Sequence, residues 1–290
     1  MANSTYQLVA RLLLSSPAEP NRVARFADIS TLASRYFTSL RRRSIAISRF
    51  FECRMGSVSV AWMVIFTLGC LPRLLFPVTP LAGAADFIAL VVPYMLIALA
   101  PVAGYVVATG SFPRGLLSAQ PAIRLSLYGR WRRLDVLEAR QSPVFGPAGF
   151  IASLLIGLLL NVVVRSFEFL LAMPAMGGAA PLWGDRLFAL MTADVVVMSF
   201  FYLVCFVMAL RSVPLFPRML LLAWGLDIMM QLLIGKTIMA TPGVPAEVAA
   251  PLHALLEGNI TKVLISAFVW LPYLILSDRV NVTYRLRAPV

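Results

Sequence analysis

The chain has 290 residues, 60% of them hydrophobic and only 13% charged, with a net charge of +12. Soluble domains carry about one quarter charged residues, so this composition excludes an ordinary water-soluble globule and makes the bilayer the relevant solvent. The basic excess calls for no nucleic acid, because an arginine-rich face against anionic lipid accounts for it.

The hydropathy pattern predicts an all-α membrane protein with six transmembrane helices. Residues 1–55 are expected to form a basic cytoplasmic lead, too long a prelude for a signal peptide. Within it Phe26, Ile29, Ala33, Phe37 and Leu40 recur at three- and four-residue spacing, which lines one helical face. Arginines surround that stripe, ending in Arg41, Arg42 and Arg43. Such an amphipathic helix rests on anionic lipids of the inner leaflet, with its guanidinium groups on phosphates. A membrane-protein partner would use the same stripe.

Two spans follow in residues 56–110, Gly56–Leu71 and Phe87–Thr109. Pro93 and Pro101 are expected to kink the second. In the basic loop 111–143, Leu127, Trp131, Leu134 and Glu138 have a short helical phase, and Trp131 is placed at the headgroup level. Residues 144–285 then hold four spans, Phe145–Met173, Leu187–Leu210, Pro214–Ala240 and Leu255–Ser277, before a tail at 286–290. Each span supplies at least about 17 residues, enough to cross about 30 Å of hydrocarbon at 1.5 Å per residue.

Arginine placement orients the chain. The lead, the 111–143 loop, the turn at Arg211 and Arg218, and the tail at Arg279, Arg285 and Arg287 together hold 20 of the 23 arginines. The opposite loops hold Arg73 and Arg186, with Lys236 at the membrane edge. Positive charge stays inside, so both termini are expected in the cytoplasm. The 23 arginines against two lysines suit a GC-rich bacterial source, and the location expected is a bacterial inner membrane.

Ionisable groups within spans are costly and are site candidates by default. Arg165 and Glu168 lie on the third span, Asp194 on the fourth, Asp227 on the fifth and Lys262 on the sixth. Arg165 and Glu168, three apart, are expected to pair within their helix. Asn161 and Gln231 extend the same polar stripes. Two readings follow: a charge-balanced network, counting Lys236, that fixes helix register, or a substrate or proton site with Asp227 as the titrating group.

Catalytic signatures are missing. Neither a phosphate loop nor a nucleophile elbow occurs, and Cys53, Cys70 and Cys205 show no paired spacing. His253 and Glu257 form at best a two-ligand pair, so neither metal nor cofactor is expected.

At the carboxyl end the last span runs into Trp270, Pro272, Tyr273, Ser277, Arg279, Val280, Thr283 and Tyr284. This segment resembles the closing signature of a bacterial membrane family known as domain of unknown function 2569. The family's four-span plan is similar to residues 145–285, including its Phe-Pro, here Phe216-Pro217. Gly146-Pro-Ala-Gly149 stands where the family usually has Gly-Gly-Trp. The resemblance implies a four-helix module and no particular activity. Read physically, the signature is an exit cap, with Arg279 meeting lipid phosphate or an acidic partner.

Together these features lead us to expect a non-enzymatic accessory or assembly subunit of a membrane complex. The alternative is a small-solute or proton-coupled transporter built on the intramembrane charges.

Overall fold

The computed structural model describes residues 20–81, 83–114, 120–121, 130–176 and 180–290, with side chains described from Arg42 onward. Arg41 and the apolar stripe of the lead therefore lie outside the described side chains. Among the described residues, six helices are long and apolar enough to cross a membrane.

Helix α1 runs unbroken over Pro20–Leu75, 56 residues in all. The boundary expected at residue 55 falls inside it. Hydropathy changes there, but helix continuity is set by backbone breakers. Pro20 sits at the start and Pro72 in the last turn, while Gly56, at the expected boundary, costs only about 1 kcal/mol. Helix α2 (Ala84–Ser111) carries Pro93 and Pro101 in its interior and remains one helix. Strand β1 (Trp131–Arg133) and helix α3 (Val136–Gln141) follow. Helix α4 (Phe150–Ala172) starts later than expected, because positive φ at Gly146 and Gly149 keeps 145–149 in a turn. Helices α5 (Leu182–Leu210), α6 (Phe216–Met239) and α7 (Ala246–Leu276) complete the long set. The short helix α8 (Asp278–Arg285) and strand β2 (Arg287–Pro289) close the chain.

Helix α5 is the axis of the bundle. Of its most apolar window 72% is buried, against 11% for α1. It packs most extensively on α2, then on α4 and α6. Gly104 permits the α2 crossing, since a Cβ there would stand 2.7 Å from the Phe200 carbonyl oxygen. Two apolar clusters fill the interior. One, around Leu155, Phe206, Phe216, Leu220 and Tyr284, lies toward the C-terminal segment. The other, around Phe66, Tyr94, Phe169 and Phe188, lies toward the opposite end.

Contacts define the two ends of the bundle. At the basic end Ser48 Oγ donates to the Pro147 carbonyl at 2.6 Å, and Gly149 N donates to Ser44 Oγ at 2.9 Å. At the far end Arg73 donates from Nε to the Leu170 carbonyl at 2.9 Å and from Nη2 to that of Leu171 at 3.0 Å. Those carbonyls belong to the last turn of α4, where a cation is favoured.

The 111–143 loop differs from its expected helical phase. Trp131 lies in β1, which pairs antiparallel with β2 so that Trp131 faces Pro289. The Arg287 guanidinium lies 4.7 Å from the Trp131 ring centroid. The ring is therefore engaged by the protein's own tail, and among the described residues a two-stranded ladder stands beside the helices. Leu127 falls outside the described residues.

Candidate functional site: a buried charge network

Arg165, deep in α4, reaches two helices at once. Its Nη1 donates to Asp194 Oδ2 on α5 at 2.7 Å, and its Nη2 lies 2.6 Å from both oxygens of Asp227 on α6. Tyr202 OH donates to Asp227 Oδ2 at 2.7 Å. Gln231 Nε2, one turn beyond Asp227, donates to Asp194 Oδ1 at 2.9 Å. Both carboxylates thus have every oxygen engaged. Asp194 is 1% exposed, Asp227 0% and Arg165 9%.

The chain of bonds continues to α7. Asn259 Nδ2 donates to Gln231 Oε1 at 3.2 Å, and Lys262 Nζ donates to Asn259 Oδ1 at 3.3 Å. Lys262 also pairs with Glu168 of α4, and these two side chains are 54% and 34% exposed. One continuous hydrogen-bonded path therefore leads from Tyr202 in the interior to an accessible ion pair. On the other side of Tyr202, toward the basic end, lie the buried side chains of Phe206, Phe216, Leu220 and Tyr284. Tyr284 OH donates to the Ala209 carbonyl at 2.8 Å, fastening that apolar seal.

Arg165 and Glu168 do not pair with each other. An intrahelical pair is worth only about 0.2–0.5 kcal/mol, and the two side chains point to different neighbours, Arg165 between α5 and α6 and Glu168 toward α7. Asn161 also stands apart: its buried Oδ1 has no hydrogen-bond partner among the described residues. Lys236 is exposed on α6 and joins no ion pair among the described residues, so it supplies no balancing charge. The buried set holds two carboxylates against one guanidinium, and the Lys262–Glu168 pair is neutral. Among the described residues the network therefore carries one excess negative formal charge.

Tyr202 and Asn259 are members that the sequence reading missed. Tyr202 follows Asp194 by eight residues and Asn259 precedes Lys262 by three, so each shares a helical face with a recognised charge. That spacing was the available signal.

The other candidates lie elsewhere. Arg42 and Arg43 are exposed on α1. Arg279 packs under Gly149 and approaches the Gly146 carbonyl at 3.5 Å, so it braces the start of α4. His253 and Glu257 form an exposed pair at 3.5 Å, and no group of three metal-ligating side chains occurs among the described residues.

Six long apolar helices around a buried charge network define a polytopic helical membrane protein. No protein-family model matches the chain, and no curated protein and no solved structure shows significant similarity to it.

Proposed function

We propose that the protein is a proton-linked carrier of the bacterial inner membrane, with Asp194 and Asp227 sharing one exchangeable proton beside Arg165. The observation that carries this reading is the excess of one carboxylate in a buried, hydrogen-bonded set. A lone charge in low dielectric costs several kcal/mol, and one proton or one bound cation removes it. The Gln231 amide can turn to present its oxygen to a protonated Asp194, and the Asn259 amide can follow. The path to Lys262 and Glu168 supplies the route, and the aromatic seal around Tyr284 supports access from the far end alone in this conformation. By the arginine distribution that end faces outward.

The test is proton movement in liposomes containing the purified protein and an internal pH dye. Wild type is expected to dissipate an imposed pH gradient, and Asp227→Asn to abolish this while keeping its elution profile and melting temperature. Unchanged flux in a folded Asp227→Asn protein would sink the proposal.

A second reading, an accessory or assembly subunit, is favoured by α1. Its 56 residues extend about 84 Å, far more than a bilayer's hydrocarbon needs. Gentle extraction from the native membrane would then yield a second protein at fixed stoichiometry, and that association would be lost when residues 20–41 are deleted.

A further inference from the structure

At the basic end, separate from the charge network, a cavity of about 410 Å³ opens between the end of α5, the end of α2 and the start of α4. Three arginines line it: Arg114, Arg140 and Arg211. Arg211 is fixed by Nη1 bonds to the carbonyls of Thr109, at 2.8 Å, and Phe112. Arg114 is fixed by an Nη2 bond to the Glu52 carbonyl at 2.5 Å. Those acceptors are neutral. Among the described residues none of the three arginines has a carboxylate within ion-pair distance, although the exposed Glu52 side chain also lines the cavity. The lining thus carries a formal charge of about +2, close to the complement of a phosphate monoester at neutral pH. Burial and the neighbouring Arg114 push the Arg211 guanidinium below its usual range.

Backbone strain converges on the same cavity. Ser212 (φ 56°) and Leu286 (φ 47°) are the only non-glycine residues at positive φ among the described residues, and both line it. Helix ends normally give such positions to Gly or Asn, and strain of this kind clusters where a ligand is held. Phe145, Leu210 and Pro214 add an apolar wall facing the arginines. Buried Gln120 Oε1, also in the lining, accepts no hydrogen bond from the described residues and can take one from a ligand hydroxyl.

We propose that this cavity binds a phosphate monoester, held by Arg114, Arg140 and Arg211, with the adjoining apolar wall taking the group that the phosphate carries. The phosphate can come from a lipid headgroup or from a soluble compound. The proposal is independent of proton movement through the charge network.

The full-length protein in a neutral detergent would be titrated with glycerol 3-phosphate, with inorganic phosphate and with phosphatidic acid in mixed micelles, phosphatidylcholine serving as control. Binding would be read as a shift in melting temperature and by calorimetry. Arg140 is exposed and makes no ion pair among the described residues, so Arg140→Gln should fold normally. It is expected to weaken phosphate binding about tenfold, and Arg114→Gln/Arg140→Gln further, whereas Lys236→Gln, exposed at the opposite end of the bundle, leaves binding intact. Saturable binding of the soluble phosphates identifies a soluble ligand, and binding of phosphatidic acid alone identifies a lipid. The proposal is overturned if no phosphate probe binds wild type, if the Arg114/Arg140 variant binds as well as wild type, or if Lys236→Gln loses as much.

Discussion

At the residue scale, Arg165 decides the energetics of the bundle interior. Among the described residues it is the one cation touching both Asp194 and Asp227, and its removal leaves those two carboxylates without it as a counter-charge. Arg165→Met is therefore expected to cost about 3–5 kcal/mol, as for breaking other buried ion pairs. Adding Asp227→Asn should recover part of the loss, since only one carboxylate then needs a proton. Denaturant titration in detergent, followed by Trp224 fluorescence, measures both; equal stability of Arg165→Met and wild type would show that the network does not hold the helices. The rarity of charge in apolar spans made Arg165, Asp194, Asp227 and Lys262 visible in the sequence. Their pairing was not, because spacing along one helix reports only neighbours on that helix. Which of two lateral helices a guanidinium meets depends on helix rotation, and the sequence pattern does not fix that angle.

At the element scale, the C-terminal helix α8 is a small polar knot, and Asn281 is its centre. Asn281 Nδ2 donates to the carbonyls of Ile275, at 3.2 Å, and Ser277, at 3.0 Å, while its Oδ1 accepts from Arg285 Nη1 at 2.8 Å and Arg287 Nε at 2.9 Å. The side chain is wholly buried with its full bonding capacity used. Burial, with Arg287 and Arg218 nearby, pushes Arg285 down to about 10, so the knot accumulates like charge that the Asn281 oxygen partly offsets. Asn281→Ala should cost about 3 kcal/mol and should loosen β2 from β1, because Arg287 loses its bond to the Asn281 oxygen and keeps its contact with Trp131. Limited proteolysis reads the loosening; an intact tail in that variant would contradict the role. Long helices were legible as elements because their apolar runs exceed any alternative. The β1–β2 ladder was not, since three-residue strands leave no periodicity and join segments more than 150 residues apart. Tyr273 and Trp270, in the closing signature, pack on Phe150 with ring centroids 5.0 and 4.6 Å away, so the end of α7 is tied to the start of α4.

At the scale of the whole molecule, the charge network and the arginine cavity lie toward opposite ends of the bundle, so orientation decides which side each would serve. Arg114, Arg140, Arg211, Arg218, Arg279, Arg285 and Arg287 gather at one end of the bundle, and Arg73 and Arg186 at the other. On the proposed orientation, with arginine retained on the cytoplasmic face, the Lys262–Glu168 pair would face outside and the three-arginine cavity inside. The native cysteines offer a direct check. Cys70 and Cys205 are buried, whereas Cys53 is exposed and flanked by Glu52 and Arg54, which hold that turn of α1 near water. A membrane-impermeant maleimide should label Cys53 in inverted vesicles and spare it in intact spheroplasts. With Cys53→Ser in the background, His253→Cys, exposed at the far end of α7, should show the opposite pattern. If both reporters label from the same side, the arrangement of spans is wrong; if each labels from the side opposite to expectation, the bundle is inverted, and the Lys262–Glu168 entrance to the charge network would open to the cytoplasm.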